Sequence, residues 1–177
     1  MSMTENTRDD VRARLFVALW PSTAVRARMA AHQHQWGWPP GAAPVARERL
    51  HLTLHFLGAV PRQRVAQLQS GLGVPVDPFE LQFERAELWR GGVAVLRPAE
   101  LPLPLVALRE RLNEALEGLQ QPFDAKPFKP HVTLARRAHG AIAPGDAVAI
   151  RWPVRGYALV ESQAGPQSGY RVLRRFG

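Results

Sequence analysis

Apolar and polar residues alternate in two short stretches, Leu50 to Leu57 and His131 to Ala135, and a period of two marks a half-buried strand. The pattern divides the rest of the chain around them. Arg14 to Trp20 reads as a buried strand stopped by Pro21, and Ser22 to Gln35, rich in Ala and Arg, reads as a helix with Ser22 near its N-cap. Gly37 to Pro44 is a loop by its Gly and Pro content. Gly58 is expected to end the first alternating strand, and Val65, Leu68 and Leu72 give Pro61 to Leu72 helical spacing before Gly73. Phe79 to Trp89 and Val93 to Leu96 flank Arg90-Gly91-Gly92 as a hairpin. Leu105, Leu108, Leu112, Leu116 and Leu119 share one face, which makes Leu105 to Leu119 the clearest amphipathic helix. A Pro-punctuated loop, Gln120 to Pro130, delivers the second alternating strand, and Ala147 to Trp152, Tyr157 to Ser162 and Tyr170 to Phe176 close the chain as strands.

In each half a helix and a loop lead into one alternating strand, and further strands follow. This order suggests an α+β fold with antiparallel sheets packed on helices. Residues 1–13, polar and charged, are expected to be a disordered leader before a single domain over 14–177.

Composition narrows the chemistry. The formal charge of +8 is carried by arginine, since Lys126 and Lys129 are the only lysines, and the guanidinium fork suits a phosphate-bearing partner. Without cysteine, disulfides, thiolate metal sites and Cys nucleophiles are excluded. No run approaches a membrane span and Met1 to Ala13 has no apolar core, so a cytoplasmic protein without membrane contact is expected.

The candidate site follows from a repeat. His51-Leu52-Thr53-Leu54 recurs as His131-Val132-Thr133-Leu134, and on a strand each His shares a face with its Thr while the aliphatic residues share the other. Of two facing imidazoles, one can take a proton from water while the other gives one to a leaving oxygen. Two hydroxyls on the same floor can hold the non-bridging oxygens of a phosphoryl group. These parts suffice for a phosphodiester hydrolase that needs no metal and no cofactor.

The doubled motif resembles the signature of the 2H phosphoesterase superfamily, specifically the bacterial RNA 2',3'-cyclic phosphodiesterases, or 2'-5' RNA ligase-like proteins. Arg14-Leu15-Phe16-Val17-Ala18-Leu19, His51 to Gly58, Leu159-Val160-Glu161-Ser162 and Gly169-Tyr170-Arg171-Val172-Leu173 fit that family. The resemblance implies a bilobal, pseudo-twofold arrangement of two antiparallel sheets, helices on the outer faces and a central cleft. It also implies metal-independent hydrolysis of RNA 2',3'-cyclic phosphate ends to 2'-phosphates, with reversible 2'-5' ligation as a second reaction and a monomer as the working form. By position, His51 is the acid on the departing ribose 3' oxygen, His131 the base for water, and Thr53 and Thr133 hold the phosphate. Arg136 falls at a position that contacts phosphate or base, and Phe56 at one that stacks on the base.

Phe56 and Arg136 each stand five residues after a motif histidine, so a twofold axis through the phosphate would set them across the cleft as a clamp on one base. Strict alternation sends both to the wrong face; the clamp needs each strand to bulge after its Leu. His55, on the His51 face by alternation, reads as cleft lining. A rival metal site would use His51, His55 and His131. A non-catalytic rival is a basic single-stranded RNA-binding module that stacks bases on Phe56, Tyr157 and tryptophans, with arginines along the backbone path. His32 and His34 read as solvated, no tryptophan is assigned to the site, and Glu161 and Ser162 are expected to stabilise the last hairpin.

Overall fold

The computed structural model describes residues 11–146, 148–165 and 168–177, so most of the expected leader lies outside the described residues. Among the described residues, nine strands form one antiparallel sheet: β1 (Arg12–Leu19), β2 (Ala43–Pro44), β3 (Leu52–Pro61), β4 (Phe79–Trp89), β5 (Val93–Pro98), β6 (Val132–Arg136), β7 (Ile150–Val154), β8 (Tyr157–Gln163) and β9 (Gly169–Phe176). The helices are α1 (Thr23–Gln33), α2 (Val65–Gly71) and α3 (Leu103–Gly118). The order across the sheet is β7-β4-β5-β6-β3-β1-β8-β9, with β2 added to β6. It divides at its middle into a half of four strands and, counting β2, a half of five, joined where Leu52 of β3 pairs with Val132 of β6. In one half β1 leads through α1 to β3; in the other β5 leads through α3 to β6. The halves expected from the sequence are therefore continuous at a narrow seam, and the seam lies within the two motifs.

Why these segments form these elements is visible in their side chains. Ser22 caps α1, its hydroxyl accepting from the Val25 N–H at 3.3 Å. Leu105, Leu108, Leu112 and Leu116 of α3 are fully buried, as their spacing demands. They join Leu52, Leu54, Leu134, Phe83 and Trp152 in one core that spans both halves, and alternate residues of β1, Leu15, Val17 and Leu19, enter it as well. The intervening Phe16 and Ala18 face the other side, where they meet Ala158, Val160 and Trp20. One face of the sheet is thus core and the other is cleft.

Several boundaries differ from the sequence reading. β1 begins at Arg12, inside the stretch expected as leader, because Arg12 and Ala13 pair with Pro61 and Val60. Gly58 does not end β3; with φ +69° it takes up a bulge between Leu15 and Phe16 of β1, and pairing resumes to Pro61. The expected helix from Pro61 opens as a 3-10 turn over Arg62–Arg64 before α2. β7 starts at Ile150; residue 147, where that strand was expected to begin, lies outside the described residues. His32 is buried and accepts the Trp36 indole N–H at 3.3 Å, so it is packed and not solvated, whereas His34 is exposed. Glu161 is buried between Arg62 at 2.9 Å and Arg171 at 2.7 Å, the latter its cross-strand partner on β9, and it ties the last hairpin to the chain after β3.

Candidate active site

The seam pair Leu52 and Val132 points into the core, so its neighbours His51, Thr53, His131 and Thr133 turn to the cleft. Antiparallel polarity sets each histidine beside the threonine of the other half. All four line one cavity of about 90 Å³ together with Val45, Arg49, Phe56, Arg136 and Tyr170. A water takes about 30 Å³ of liquid, so the space suits a phosphoryl group and leaves any nucleobase to its rim.

Both imidazoles are locked in the same way. His51 donates from Nδ1 to the Arg49 carbonyl at 2.6 Å, and His131 from Nδ1 to the Lys129 carbonyl at 2.6 Å. A carbonyl can only accept, which fixes the proton on Nδ1 and leaves Nε2 as the nitrogen that gains and loses protons. The Nε2 of His51 is 3.1 Å from the Thr53 hydroxyl.

The bulges that a base clamp requires are present in both halves. Along β3, Thr53 pairs with Ala18 and His55 with Val17, so Leu54 is passed over. Along β6, Thr133 pairs with Val95 and Ala135 with Ala94, so Leu134 is passed over. Each extra residue inverts the alternation behind it. Consequently Leu52 to Phe56 and Val132 to Arg136 run through the same sequence of environments: buried, half-buried, buried, buried, exposed. The carbonyls of the bulged leucines are claimed by side chains from the helices. Arg109 of α3 donates from Nε to Leu54 at 2.9 Å, and the buried Gln33 of α1 donates from Nε2 to Leu134 at 2.7 Å and to Val45 at 2.9 Å. Phe56, 56% exposed, and Arg136 therefore stand on the cavity's rim, and Phe56 is not a core residue.

The same bulge corrects two expectations. His55 is only 1% exposed and packs edge-on against Phe123, 5.0 Å between centroids, on the side away from the phosphate-sized cavity. It is neither lining of that cavity nor placed to share a metal with His51 and His131. Tyr157, offered as a stacking platform, is buried and spends its hydroxyl on the backbone of Leu72 and Val74.

Burial sets the electrostatics. Desolvation pushes His51 down to about 4, against the pull of its bond to the Arg49 carbonyl; Arg26, His131 and Arg136 push the same way as burial. Desolvation also lowers His131, again against its carbonyl bond, with Arg136 and Arg97 adding to the effect. Arg49 and Arg136 at the cavity, with burial that favours the neutral imidazole in both histidines, make a combination suited to an anion.

Residues missed by the sequence reading surround the histidines. The Trp20 ring stacks on His51 at 5.7 Å, Phe16 approaches it at 4.9 Å, and Tyr170 meets it edge-on at 5.2 Å. Trp89 lies against His131 at 4.5 Å. Two tryptophans thus belong to the site after all, as holders of the rings. Arg26 sets its guanidinium 4.6 Å over Trp20 and donates to the Leu50 carbonyl at 3.2 Å, which ties α1 to the first motif.

A curled antiparallel sheet with two His-x-Thr strands at its seam is the fold of the 2H phosphoesterases. Within that class the chain belongs to the 2'-5' RNA ligase superfamily, whose family model matches residues 19–164. The RNA 2',3'-cyclic phosphodiesterase of Thermus thermophilus is 35% identical over 92% of this chain and 89% of its own length. Its counterpart from Escherichia coli is 35% identical over 92% of this chain and 95% of its own. The crystal structure of E. coli LigT complexed with 3'-AMP superposes with a TM-score of 0.78 at 28% identity, covering 93% of this chain and 96% of that one. The family agrees with the resemblance carried by the doubled motif.

Proposed function

We propose that this chain hydrolyses the 2',3'-cyclic phosphate ends of RNA to 2'-phosphates, with His51 and His131 as the acid and base pair. The observation that carries the reading is that two imidazoles, each locked with Nδ1–H on a backbone carbonyl, line one phosphoryl-sized cavity with two threonine hydroxyls. Relatives named RNA 2',3'-cyclic phosphodiesterase support the substrate class, and the 3'-AMP held by LigT supports a nucleotide in such a cleft.

In this reading the cyclic phosphate sits between Thr53 and Thr133, whose hydroxyls donate to its non-bridging oxygens as charge builds there. His131 takes a proton from water through Nε2 while the water oxygen bonds to phosphorus. The bond from phosphorus to the ribose 3' oxygen breaks opposite, and His51 Nε2–H protonates that oxygen. The acid needs a proton that burial disfavours, and the phosphodiester anion supplies the compensating charge. Arg136 shares the anion, Phe56 stacks on the base, and neither metal nor cofactor has a step to perform. With a 5'-hydroxyl in place of water the same step is 2'-5' ligation, His131 taking the hydroxyl proton and His51 protonating the ribose 3' oxygen; in the reverse reaction, cleavage of the 2'-5' linkage, the two histidines exchange roles. Among the described residues no helix is long and apolar enough to cross a membrane, and the partner this reading names is RNA, bound by a monomer.

The test is incubation with a short RNA ending in a 2',3'-cyclic phosphate, in EDTA, and identification of the product phosphate by its position. A 2'-phosphate formed at an undiminished rate is expected. Turnover that stops in EDTA and returns with zinc or manganese overturns the mechanism.

A further inference from the structure

Two grooves leave the phosphate-sized cavity, and Phe56 stands at the mouth of both. On the His51 side the groove is about 360 Å³, bounded by Phe16, Tyr170, Ser162 and Arg14, and is mainly aromatic. On the His131 side it is about 300 Å³ and of different character. Trp89 and Phe128 supply aromatic surface there, while Arg109, Lys126 and Lys129 supply charge. The only two lysines of the chain thus both line the groove that opens beside His131. Arg109 lies 4.4 Å over the Phe128 ring, so ring and guanidinium form one rigid wall. Asp124 pairs with Lys126 at 3.3 Å and offsets part of the charge, leaving three cations against one carboxylate.

Aromatic faces interleaved with flexible cations are what a single-stranded nucleic acid needs, bases on the rings and phosphates on the ammonium groups. A cyclic mononucleotide has no phosphate for this groove, since its single phosphoryl group occupies the cavity. We propose that the groove lined by Trp89, Phe128, Arg109, Lys126 and Lys129 carries the RNA strand upstream of the terminal nucleotide, and so selects oligonucleotide ends over cyclic mononucleotides. This rests on the function proposed above and adds to it the path of the chain. Charge decides between the two grooves: the His51 side offers Arg14 alone, against three cations on the His131 side.

The experiment compares a 2',3'-cyclic mononucleotide with a trinucleotide of the same cyclic end across a salt series. Each phosphate contact on a single strand contributes a slope of about −0.7 in log affinity against log salt. The trinucleotide is expected to show a kcat/KM at least about tenfold higher, with a slope steeper by about 0.7 to 1.4 for one or two contacts. Lys126→Gln, at a highly exposed side chain, should remove about 0.7 of that slope and leave the mononucleotide within about twofold. Arg14→Gln should leave the difference between the substrates unchanged. Equal rates and slopes for the two substrates, or a loss of slope in Arg14→Gln in place of Lys126→Gln, overturn the proposal. Equilibrium binding of the same trinucleotide, ending in a 2'-phosphate, reads the groove without turnover. Salt-sensitive binding that Lys126→Gln weakens, in a protein that hydrolyses neither substrate, would retire the catalytic reading and keep the groove.

Discussion

Leu54 and Leu134 occupy equivalent places in the two halves, and each is the residue at which its strand bulges. Their carbonyls accept from Arg109 and Gln33 of helices α3 and α1, and that of Leu134 also accepts the Val45 N–H at 2.7 Å. The helix that leads into one motif strand thus secures the bulge of the other. This arrangement puts Phe56 and Arg136 on the histidine side of a sheet whose alternation alone would have hidden them.

Phe56→Ala should therefore raise KM for cyclic nucleotides more than it lowers kcat, with little change in base preference. Stacking of a base on an aromatic ring is worth about 1 to 3 kcal/mol, or roughly 5- to 150-fold in KM. Because the ring is largely exposed, the melting temperature should not move. Arg136→Ala should hurt both constants, since it also removes charge beside the phosphate. Kinetics and thermal melting of the two variants decide the matter: a Phe56→Ala protein that melts many degrees lower yet keeps its KM would return the ring to a structural role.

The doubled motif and the α+β order were legible because they rest on local information: alternation, helical spacing and turn residues. The bulges were not, since a bulge is defined by the partner strand, and β1 and β5 declare no register in their own sequence. Gly58 was misread for the same reason; a glycine with φ +69° ends a strand in one setting and bulges it in another. Trp20 and Trp89 lie far from the histidines in sequence and reach them only through pairing across the sheet. The requirement for a bulge could be stated from the sequence, from the conflict between alternation and a twofold clamp, but its hydrogen-bond partners could not.

Replacing either motif histidine by alanine should cost about 10² to 10⁴ in rate, the usual contribution of one positioned proton-transfer group. The double variant should be little worse than either single one, because the two act as a unit. Circular dichroism should remain that of the parent. Most activity surviving in His51→Ala or His131→Ala would remove the pair from the chemistry.

The pH dependence separates the empty site from the occupied one. kcat/KM reports the free enzyme and kcat the complex, and the apparent values belong to the coupled pair. Burial and neighbouring cations hold both imidazoles below 6.5 in the empty cavity, with His51 at about 4, so the alkaline limb of kcat/KM should fall below pH 6.5. A bound phosphodiester anion favours the protonated ring, which moves the same limb of kcat to higher pH. Arg136→Ala should shift the kcat/KM limbs upward, because that guanidinium lowers both histidines. Superimposable profiles for the two constants would show that the substrate does not supply the charge.

His55 makes a separate prediction about stability. Burial lowers it to about 4, with the charge of Arg109 adding to the effect. Neither ring nitrogen reaches a hydrogen-bond partner among the described residues. A histidine whose folded value lies below its unfolded value of about 6.5 binds fewer protons when folded. Stability is then complete above pH 6.5 and is lost as pH falls toward 4, by about 3 kcal/mol over the two units between pH 6.5 and 4.5 at 1.4 kcal/mol per unit. For a chain of this size that is a fall of about 6 to 12 °C in melting temperature. His51 adds its own share, and paired carboxylates add more, so the useful quantity is a difference. His55→Leu, which keeps the volume and removes the titrating group, should melt no lower than the parent at pH 7.5 and should lose about 6 to 12 °C less on going to pH 4.5. Parallel melting curves for parent and variant across this range would mean that His55 titrates alike in the folded and unfolded chain.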